Sequence, residues 1–503
     1  MKTRLTFIAA LAAAFPLFSA FASAQGALTP SGAPAPMMKT LDQLEARTPL
    51  GTPGSVATSS LAINTPGSYV LMCPVTVAAG DGIVINCGDV TLDLNGFTIA
   101  STLAAGPSGS GINVTASAGN ITLRNGHIRS GTTYGGSVYA TKGFAYGIQA
   151  SSVTGNTLVE DMTFEGIGSY GIYGQYAIPG CTVRNCQVRV CGVSGIMAFD
   201  ILDSQAVTCG STAIWGAKVT GCEGVCTATE AGIRATVAIN SRGTSVAYYG
   251  LMATERAFAC SGYSQSYIAF SATRADFCEG ITTSGGTGLQ ATHASNCHGA
   301  CSSGAGTGLS ATTAVSCQGE SAGGVGISAT ESAIDCRGTS TSGVGISTAV
   351  AKGCRGKTST GSAALSTGIA EACYGLSLGS GKGISATTAH ACMGYSDSGT
   401  GVDAMAIAAD CYGQSSSGTG LGCFGHARGC YGSSNSGTGI NAGAATDCYA
   451  RTTASGSFAL IVAGTATSCR ASAPNNAIYA AIAIGCTTES GSISVTNHYD
   501  MPP

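Results

Sequence analysis

The sequence predicts an all-β fold, a single-stranded parallel β-helix, and three observations support it. A cysteine returns every 17 to 21 residues, most often every 19, from Cys260 to Cys486. Glycine supplies 75 of the 503 residues, roughly double the usual share of about 7%. Only 9% of the residues are charged, so a long helical or coiled-coil protein is excluded, and the 44% hydrophobic content argues against disorder.

The repeat unit defines one coil of the helix. Between Cys411 and Cys430 it reads CYGQSSSGTGLGCFGHARGC, and an Ile-x-Ala alternation in most units predicts a short strand. Glycines on both sides supply turns, so each unit is a strand, a turn, a strand and a turn. Stacked coils lie about 4.8 Å apart, which places equivalent residues in columns. The inward positions are Ala, Cys, Gly and one Ile or Leu, so the interior must be narrow.

Wider coils with larger side chains are predicted upstream. Four segments align as successive strands: Val90–Ile99, Ile121–Arg129, Leu158–Phe164 and Thr182–Val188. The alignment predicts one amide-rich column that contains Asn95, Asn125, Asp161 and Asn185. The neighbouring column alternates in charge, with Arg124, Glu160, Arg184 and then Asp203. Both columns are interpreted as structural, with the charges forming a surface ion-pair ladder.

The chain divides into five predicted segments. Residues 1–24 read as a signal peptide, with a basic start, an apolar core and an A-x-A cleavage site at Ala22-Ser23-Ala24. Residues 25–60 form a linker and cap, 61–260 the wide coils with loops, 261–490 the regular coils, and 491–503 a cap strand and tail, with the last strand expected at Ser492–Asn497. No second apolar run is long enough to span a bilayer. Export to the periplasm, the cell surface or the medium is therefore predicted.

Several of these segments resemble a known group. The runs Met38–Leu50 and Ile63–Leu71, the CYGxSxSGTGL repeats and the ending Asn497–Pro503 resemble bacterial secreted right-handed β-helix repeat proteins, a largely uncharacterised group in the pectin-lyase-like superfamily. The resemblance implies a right-handed helix over nearly all of the mature chain. It does not imply one activity, because the superfamily contains enzymes, binding proteins and adhesins.

Catalytic candidates are few. The polygalacturonase-like motifs Asn-Thr-Asp, Asp-Asp, Gly-His-Gly and Arg-Ile-Lys do not occur in the sequence. The densest group of charges has Glu160, Asp161 and Glu165 facing three basic side chains: Arg124, His127 and Arg184. A carboxylate pair beside an arginine could perform acid/base chemistry on a sugar, as in a polysaccharide lyase or a glycoside hydrolase. A ladder of paired surface charges is the favoured interpretation.

Aromatic side chains concentrate in the wide coils and suggest glycan contact, since a tyrosine combines an apolar ring face with a hydroxyl group. They form two groups, one in a Gly/Ser-rich stretch and one in the segment SYGIYGQYAIPG: Tyr134, Tyr139, Phe144 and Tyr146, then Tyr170, Tyr173 and Tyr176. Packing of a long loop against the helix is the alternative explanation.

The cysteines predict a buried ladder of small thiols and no metal site or cofactor. Neither the Cys222/Cys226 pair nor the set His293, Cys297, His298 and Cys301 has a firm zinc spacing. Cys181, Cys186 and Cys191 are placed off the ladder and are the better disulfide candidates. The recurring Gly-Thr-Gly is interpreted as turn chemistry, because a nucleotide loop would occur once.

The leading functional hypothesis is a non-enzymatic exported protein with a structural or glycan-binding role. A carbohydrate-active enzyme with a site near Glu160 and Asp161 is the second. Ice binding is the third, because Ser-x-Thr pairs recur on outward strand positions: Ser310/Thr312, Ser328/Thr330 and Ser385/Thr387. The formal charge of −3 gives no basic surface for nucleic acid. The sequence identifies neither the ligand nor the oligomeric state.

Overall fold

The computed structural model describes residues 47–115, 119–153, 155–177 and 179–499. Within these ranges the chain forms an all-β parallel solenoid of about 23 turns, as the sequence predicts, and contains no helix. One continuous sheet takes up 45 strands. The predicted signal peptide and most of the predicted N-terminal cap lie outside the described residues. No described segment is a helix long and apolar enough to cross a membrane.

The N-terminal strands vary in length and carry the loops. A small antiparallel hairpin, β11–β12, and a short parallel pair, β8–β13, lie apart from the main sheet. The strands are β1 (Thr48–Leu50), β2 (Leu61–Ile63), β3 (Gly67–Leu71), β4 (Val75–Val77), β5 (Ile83–Ile85), β6 (Val90–Asp93), β7 (Thr98–Ser101), β8 (Gly106–Pro107), β9 (Ser110–Val114), β10 (Ile121–Arg129), β11 (Thr133–Tyr134), β12 (Tyr139–Ala140), β13 (Lys142–Gly143), β14 (Tyr146–Ala150), β15 (Thr157–Ile167), β16 (Tyr170–Gly174), β17 (Cys181–Arg184) and β18 (Gln187–Cys191).

From β19 onward, long and short strands alternate, and each strand pairs in parallel with its equivalents one coil away. The long strands are β19 (Ser194–Leu202), β21 (Ile214–Thr220), β23 (Ile233–Ile239), β25 (Leu251–Phe258), β27 (Phe270–Asp276), β29 (Leu289–Ser295), β31 (Leu309–Val315), β33 (Ile327–Ile334), β35 (Ile346–Lys352), β37 (Ala363–Glu371), β39 (Lys382–His390), β41 (Val402–Ala409), β43 (Leu421–Arg428), β45 (Ile440–Thr446) and β47 (Leu460–Thr467).

The short strands have four residues, except β20 with five, and a four-residue strand alternates two outward with two inward positions, as the burial of β42 shows. They are β20 (Gln205–Cys209), β22 (Glu223–Cys226), β24 (Arg242–Ser245), β26 (Ser261–Ser264), β28 (Glu279–Thr282), β30 (His298–Cys301), β32 (Gln318–Ser321), β34 (Arg337–Ser340), β36 (Arg355–Thr358), β38 (Tyr374–Ser377), β40 (Met393–Ser396), β42 (Tyr412–Ser415), β44 (Tyr431–Ser434) and β46 (Tyr449–Thr452). Two long strands, β48 (Arg470–Ile484) and β49 (Thr487–Tyr499), end the stack, and β49 extends beyond both ends of the expected Ser492–Asn497.

The wide coils are filled by aliphatic side chains in register. Val90, Ile121 and Thr157 are stacked partners, as are Leu92, Leu123 and Val159, and all six are buried. Positions two residues apart along a strand point to the same face of the sheet. The alternation of aliphatic residues in the sequence therefore fixes this register.

The regular short coils from β19 onward, called the slender coils below, have glycine where two backbone segments approach each other closely. A Cβ atom at Gly413 would lie 2.2 Å from the carbonyl oxygen of Gly420 in the same coil, closer than any side chain tolerates. A Cβ at Gly420 would lie 2.5 Å from the backbone nitrogen of Ser433 in the next coil. The short spacing begins upstream of residue 260, since Gln205 already pairs with Glu223, 18 residues further on.

The predicted cysteine ladder is present, and it is longer than expected. Its thiols are buried and donate to carbonyl oxygens, as in the 3.2 Å contact from Cys411 Sγ to Ala409. The placement of Cys186 off the ladder is wrong: its backbone N–H donates to Ser204 Oγ, and Cys222 N–H donates in the same way to Ser241. Serine therefore substitutes for cysteine twice, and the ladder starts at Cys186.

The disulfide prediction is also wrong. Cys181, Cys186 and Cys191 are all free thiols. Cys191 instead begins a second buried column and pairs in register with Cys209, which pairs with Cys226. This column continues as serine, threonine and one cysteine: Ser245, Ser264, Thr282, Cys301, Ser321, Ser340, Thr358, Ser377, Ser396, Ser415, Ser434 and Thr452.

The charged column is confirmed over Arg124, Glu160 and Arg184, which are direct register partners. Its predicted fourth member is wrong, because Arg184 pairs with Leu202 and not with Asp203. Asp203 has a left-handed backbone, with φ of 47°, like the residues of the amide-rich column: Asn95, Asn125, Asp161 and Asn185. Asn and Asp tolerate this conformation better than other non-glycine residues, which explains their recurrence at the turn.

Candidate functional site

The candidate catalytic carboxylates are already paired. Glu160 is 8% exposed and forms an ion pair with Arg184 one coil away. Arg124, its register partner in the preceding coil, forms an ion pair with Asp93 at 3.4 Å. The strands therefore bring these groups together as coil-to-coil pairs, which stabilise the stack.

The other members of this group have neighbours of their own. Asp161 accepts a hydrogen bond from the Asn185 amide at 2.7 Å, and Glu165 forms an ion pair with Arg129 at 2.8 Å. His127 lies 2.5 Å from the Thr163 hydroxyl, its register partner on β15. The six candidates thus lie along neighbouring strands, each bonded across to the next coil or included in the charged column.

The first aromatic group belongs to the scaffold. Phe144 is fully buried in the core, so its ring is not available to a ligand. Tyr139 stacks against Tyr134 at 4.6 Å across the β11–β12 hairpin. Its hydroxyl lies 2.6 Å from that of Thr227, and burial raises the pKa of Tyr139 well above its usual value. These contacts attach the hairpin to the flank of the helix.

Three tyrosines of the wide coils form a cluster. Tyr146 and Tyr170 are register partners on β14 and β16, with ring centroids 5.7 Å apart and nearly parallel. Tyr173 packs against both, at 5.5 and 4.7 Å. Burial raises the pKa of Tyr170. Because the rings cover one another, their faces are largely occupied.

Tyr176 lies at a different place, beside the single tryptophan of the chain. Its ring is 39% exposed and packs 4.7 Å from Trp215. Trp215 projects outward from β21, and its register partner in the next coil, Arg234, places its guanidinium carbon 4.7 Å from the centre of the indole ring. A cation over an indole face is a favourable contact.

An open pocket of about 780 Å³ adjoins these three side chains. Asp200 and Lys218 also line it, and they are register partners one coil apart. Gly216 and Ala217 lie between Trp215 and Lys218 on β21, and of these four residues only Gly216 is buried. The pocket therefore combines aromatic rings with charged groups of both signs.

Sequence reasoning found Tyr176 but missed the rest of this pocket. Trp215 follows the inward Ile214, so alternation alone assigns it to the outer face. Counting one coil length from Trp215 leads to Arg234. The signal was present, but reading it requires the repeat to be extended upstream of Cys222.

The serine positions considered for ice binding do form an outward column. Ser310, Ser328, Ser347, Ser366 and Ser385 are successive register partners over five coils. The next two partners are Asp403 and Gly422, which end the run of hydroxyl groups.

The histidine and cysteine set does not converge. Cys297 points inward and donates to the Ala275 carbonyl at 3.3 Å, whereas the ring of His298 lies on the outer surface, 3.2 Å from Glu279. Adjacent strand residues point to opposite faces, which separates these two side chains. Among the residues that the structure describes, no group of three or more His, Cys, Asp or Glu side chains could hold a metal ion.

Comparison with known proteins bears on the fold. The family described as "Right handed beta helix region" matches residues 61–230, which include Tyr176, Trp215 and Lys218 of the pocket but not Arg234. No curated protein matches the chain, and no solved structure does. Together with the stacked parallel coils, the family match supports a right-handed β-helix fold.

Proposed function

We propose that this β-helix is an exported, non-catalytic protein that binds a glycan in the Trp215 pocket. One observation carries the proposal: an open cavity of about 780 Å³ combines Trp215 and Tyr176 with the polar groups of Arg234, Asp200 and Lys218. The volume lies within the range of small-molecule sites, about 300–1,000 Å³.

The chemistry of these side chains fits a sugar. A pyranose ring presents C–H groups on its faces and hydroxyl groups at its edge. Aromatic side chains with a polar edge, such as Trp and Tyr, can pack against the C–H groups on the face of the sugar. Asp200 accepts hydrogen bonds and Lys218 donates them, so the two can orient the hydroxyl groups of a bound sugar. Arg234 covers part of the indole, which leaves the tilted Tyr176 side as the contact surface for the ligand.

The pairing of the carboxylates supports a binding role over catalysis. A general acid or base must reach the bond that it acts on. Glu160 is held by Arg184, and Glu165 by Arg129. Cleavage of a polymer that depends on Glu160 would favour the enzyme hypothesis instead, and assays of Glu160→Gln on a polysaccharide panel test it.

The proposed function is tested by a glycan array with the full chain, followed by titration of the strongest ligand against Trp215→Ala. We expect the variant to bind at least about tenfold more weakly, which corresponds to about 1.4 kcal/mol. Phe424→Ala is the matched control, because Phe424 is 81% exposed on a distant coil and outside the pocket. Equal affinity of Trp215→Ala and the unaltered chain, or no glycan bound at all, would contradict the proposal.

A further inference from the structure

A second groove lies on the short-strand face, far along the chain from Trp215. Arg337, Arg355 and Tyr374 are successive register partners and form one outward column. Two residues further along each strand, Thr339 and Lys357 belong to the parallel outward column. The groove between the two columns has a volume of about 240 Å³ and is lined by these five side chains and by Leu376, the register partner of Lys357.

The floor of the groove is backbone. Gly338 and Gly356 separate the two columns on β34 and β36, and both are buried. Arg355 and Lys357 therefore project from one coil on opposite sides of the groove, and Arg337 adds a third positive charge from the preceding coil.

These three cations have no acidic partner among the described residues, and all three side chains are exposed. Two surface cations elsewhere on the slender coils are paired: Lys352 with Glu371 at 3.3 Å, and Arg470 with Glu489 at 2.7 Å. Like charges on adjacent coils repel one another, so the cluster is destabilising unless an anion neutralises it.

The acidic group nearest in register does not neutralise the cluster. Glu320 lies one coil upstream as the partner of Thr339; it accepts a hydrogen bond from Gln318 at 2.6 Å and forms no ion pair with Arg337, Arg355 or Lys357. Downstream, the partners of Tyr374 and Leu376 are Met393 and Tyr395, which carry no charge at neutral pH.

We propose that this groove binds a phosphate monoester. Arginine donates pairs of parallel hydrogen bonds to phosphate oxygens, and lysine adds a point charge. A monoester carries about −1.5 to −2 charges at pH 7, so it matches three surrounding cations better than a single carboxylate does. Tyr374 at the end of the groove can contact the group that is esterified. The site shares no residue with the Trp215 pocket and goes beyond the proposed glycan function.

A phosphorylated sugar and a phospholipid headgroup both supply this chemistry. Calorimetric titration of the full chain with glucose 6-phosphate, with glucose as the matched neutral ligand, tests the first source. Sedimentation with phosphatidylcholine vesicles that contain phosphatidic acid tests the second. We expect glucose 6-phosphate to bind to the Trp215→Ala chain, in which the proposed glycan pocket is disabled, glucose not to bind to it, and the affinity to fall as salt is added.

Arg355→Gln should weaken binding of the phosphate ligand at least about tenfold, because it removes the central cation. Arg428→Gln is the control, since Arg428 is an exposed arginine on a long strand outside the groove. Lys357→Gln is a second variant, for use if Arg355→Gln lowers the thermal midpoint. Binding to vesicles as well as to glucose 6-phosphate would support the site and extend it to lipid headgroups.

The proposal is overturned if neither phosphate source binds, or if Arg355→Gln and Lys357→Gln bind as tightly as the unaltered chain. Trp215→Ala should leave phosphate binding unchanged. Failure of this site is thereby separated from failure of the proposed glycan pocket.

Discussion

The wide and the slender coils have the same fold, but their interiors are packed in different ways. In the wide coils, large side chains such as Leu92, Ile128 and Phe164 are fully buried and fill the interior. In the slender coils, the backbone itself approaches across the core, as at Gly413 and Gly420. The first solution depends on apolar volume, whereas the second depends on the absence of side chains.

Polar groups also behave differently in the slender coils. Ser415 is 1% exposed, yet its hydroxyl donates to the Gly399 carbonyl at 2.7 Å and accepts from the Gly418 N–H at 2.8 Å. A buried hydroxyl with both bonds made is tolerated, and Ser434 closes the equivalent turn one coil on with the same two bonds. Hydrogen bonds of this kind compensate for low hydrophobic volume in many coils, although the Thr282 and Ser377 hydroxyls of the same column have no hydrogen-bond partner among the described residues.

The difference predicts that the wide coils are sensitive to loss of volume. Ile128→Ala should lower the free energy of unfolding by about 2–5 kcal/mol, since it leaves a cavity in a fully buried position. Ile334→Ala is the control, because this isoleucine of the slender coils is 36% exposed, and its loss should cost about 0.5 kcal/mol or less. Urea titration measures both, and equal losses would remove the distinction.

The slender coils should instead be sensitive to added volume. Gly413→Ala places a methyl group against a backbone carbonyl, so we expect a loss of about 1–3 kcal/mol. Gly456→Ala is matched in chemistry, but its Cβ would meet no atom within 4 Å. Thermal midpoints of the two variants give the comparison. Equal thermal midpoints for Gly413→Ala and Gly456→Ala would contradict the prediction and show that a slender coil can widen to accept a methyl group.

The last expected effect concerns the thiols and appears only at alkaline pH. Burial raises the pKa of Cys186 from 9.0 to about 12, so the unfolded chain ionises first. Stability is fully present below about pH 9 and decreases by about 1.4 kcal/mol per pH unit as the pH rises toward 12. Cys186→Ala should reduce this slope, as measured by urea unfolding at several alkaline pH values. Cys87→Ala, at a half-buried position, should change the slope less, and identical slopes would contradict the account.

The repeat could be predicted because one residue type marks each coil. The cysteine spacing gave the coil length and the narrow core, and both are confirmed from Cys260 to Cys486. The extension of the ladder to Cys186 was missed because Ser204, a residue of nearly the size of cysteine, takes the ladder position in the coil that follows Cys186. The sequence alone does not show that a serine hydroxyl takes a position in the cysteine ladder. The register of the stacked strands shows it.

The candidate pocket was harder to predict. Tyr176 was selected for its residue type, but Trp215 and Arg234 become neighbours only through parallel pairing one coil apart. The charged group around Glu160 stood out in the sequence because charges are rare there, and the structure uses it for ion pairs between coils. Rarity of a residue type thus indicated a special position without indicating its role.

The most direct test of the glycan pocket uses the single tryptophan of the chain, since its fluorescence reports on the pocket alone. Titration with a glycan selected on the array should change the Trp215 emission in a saturable way, and Tyr176→Ala should shift the midpoint to higher concentration. A glycan that binds by calorimetry yet leaves the emission unchanged would place the binding site elsewhere and contradict the account.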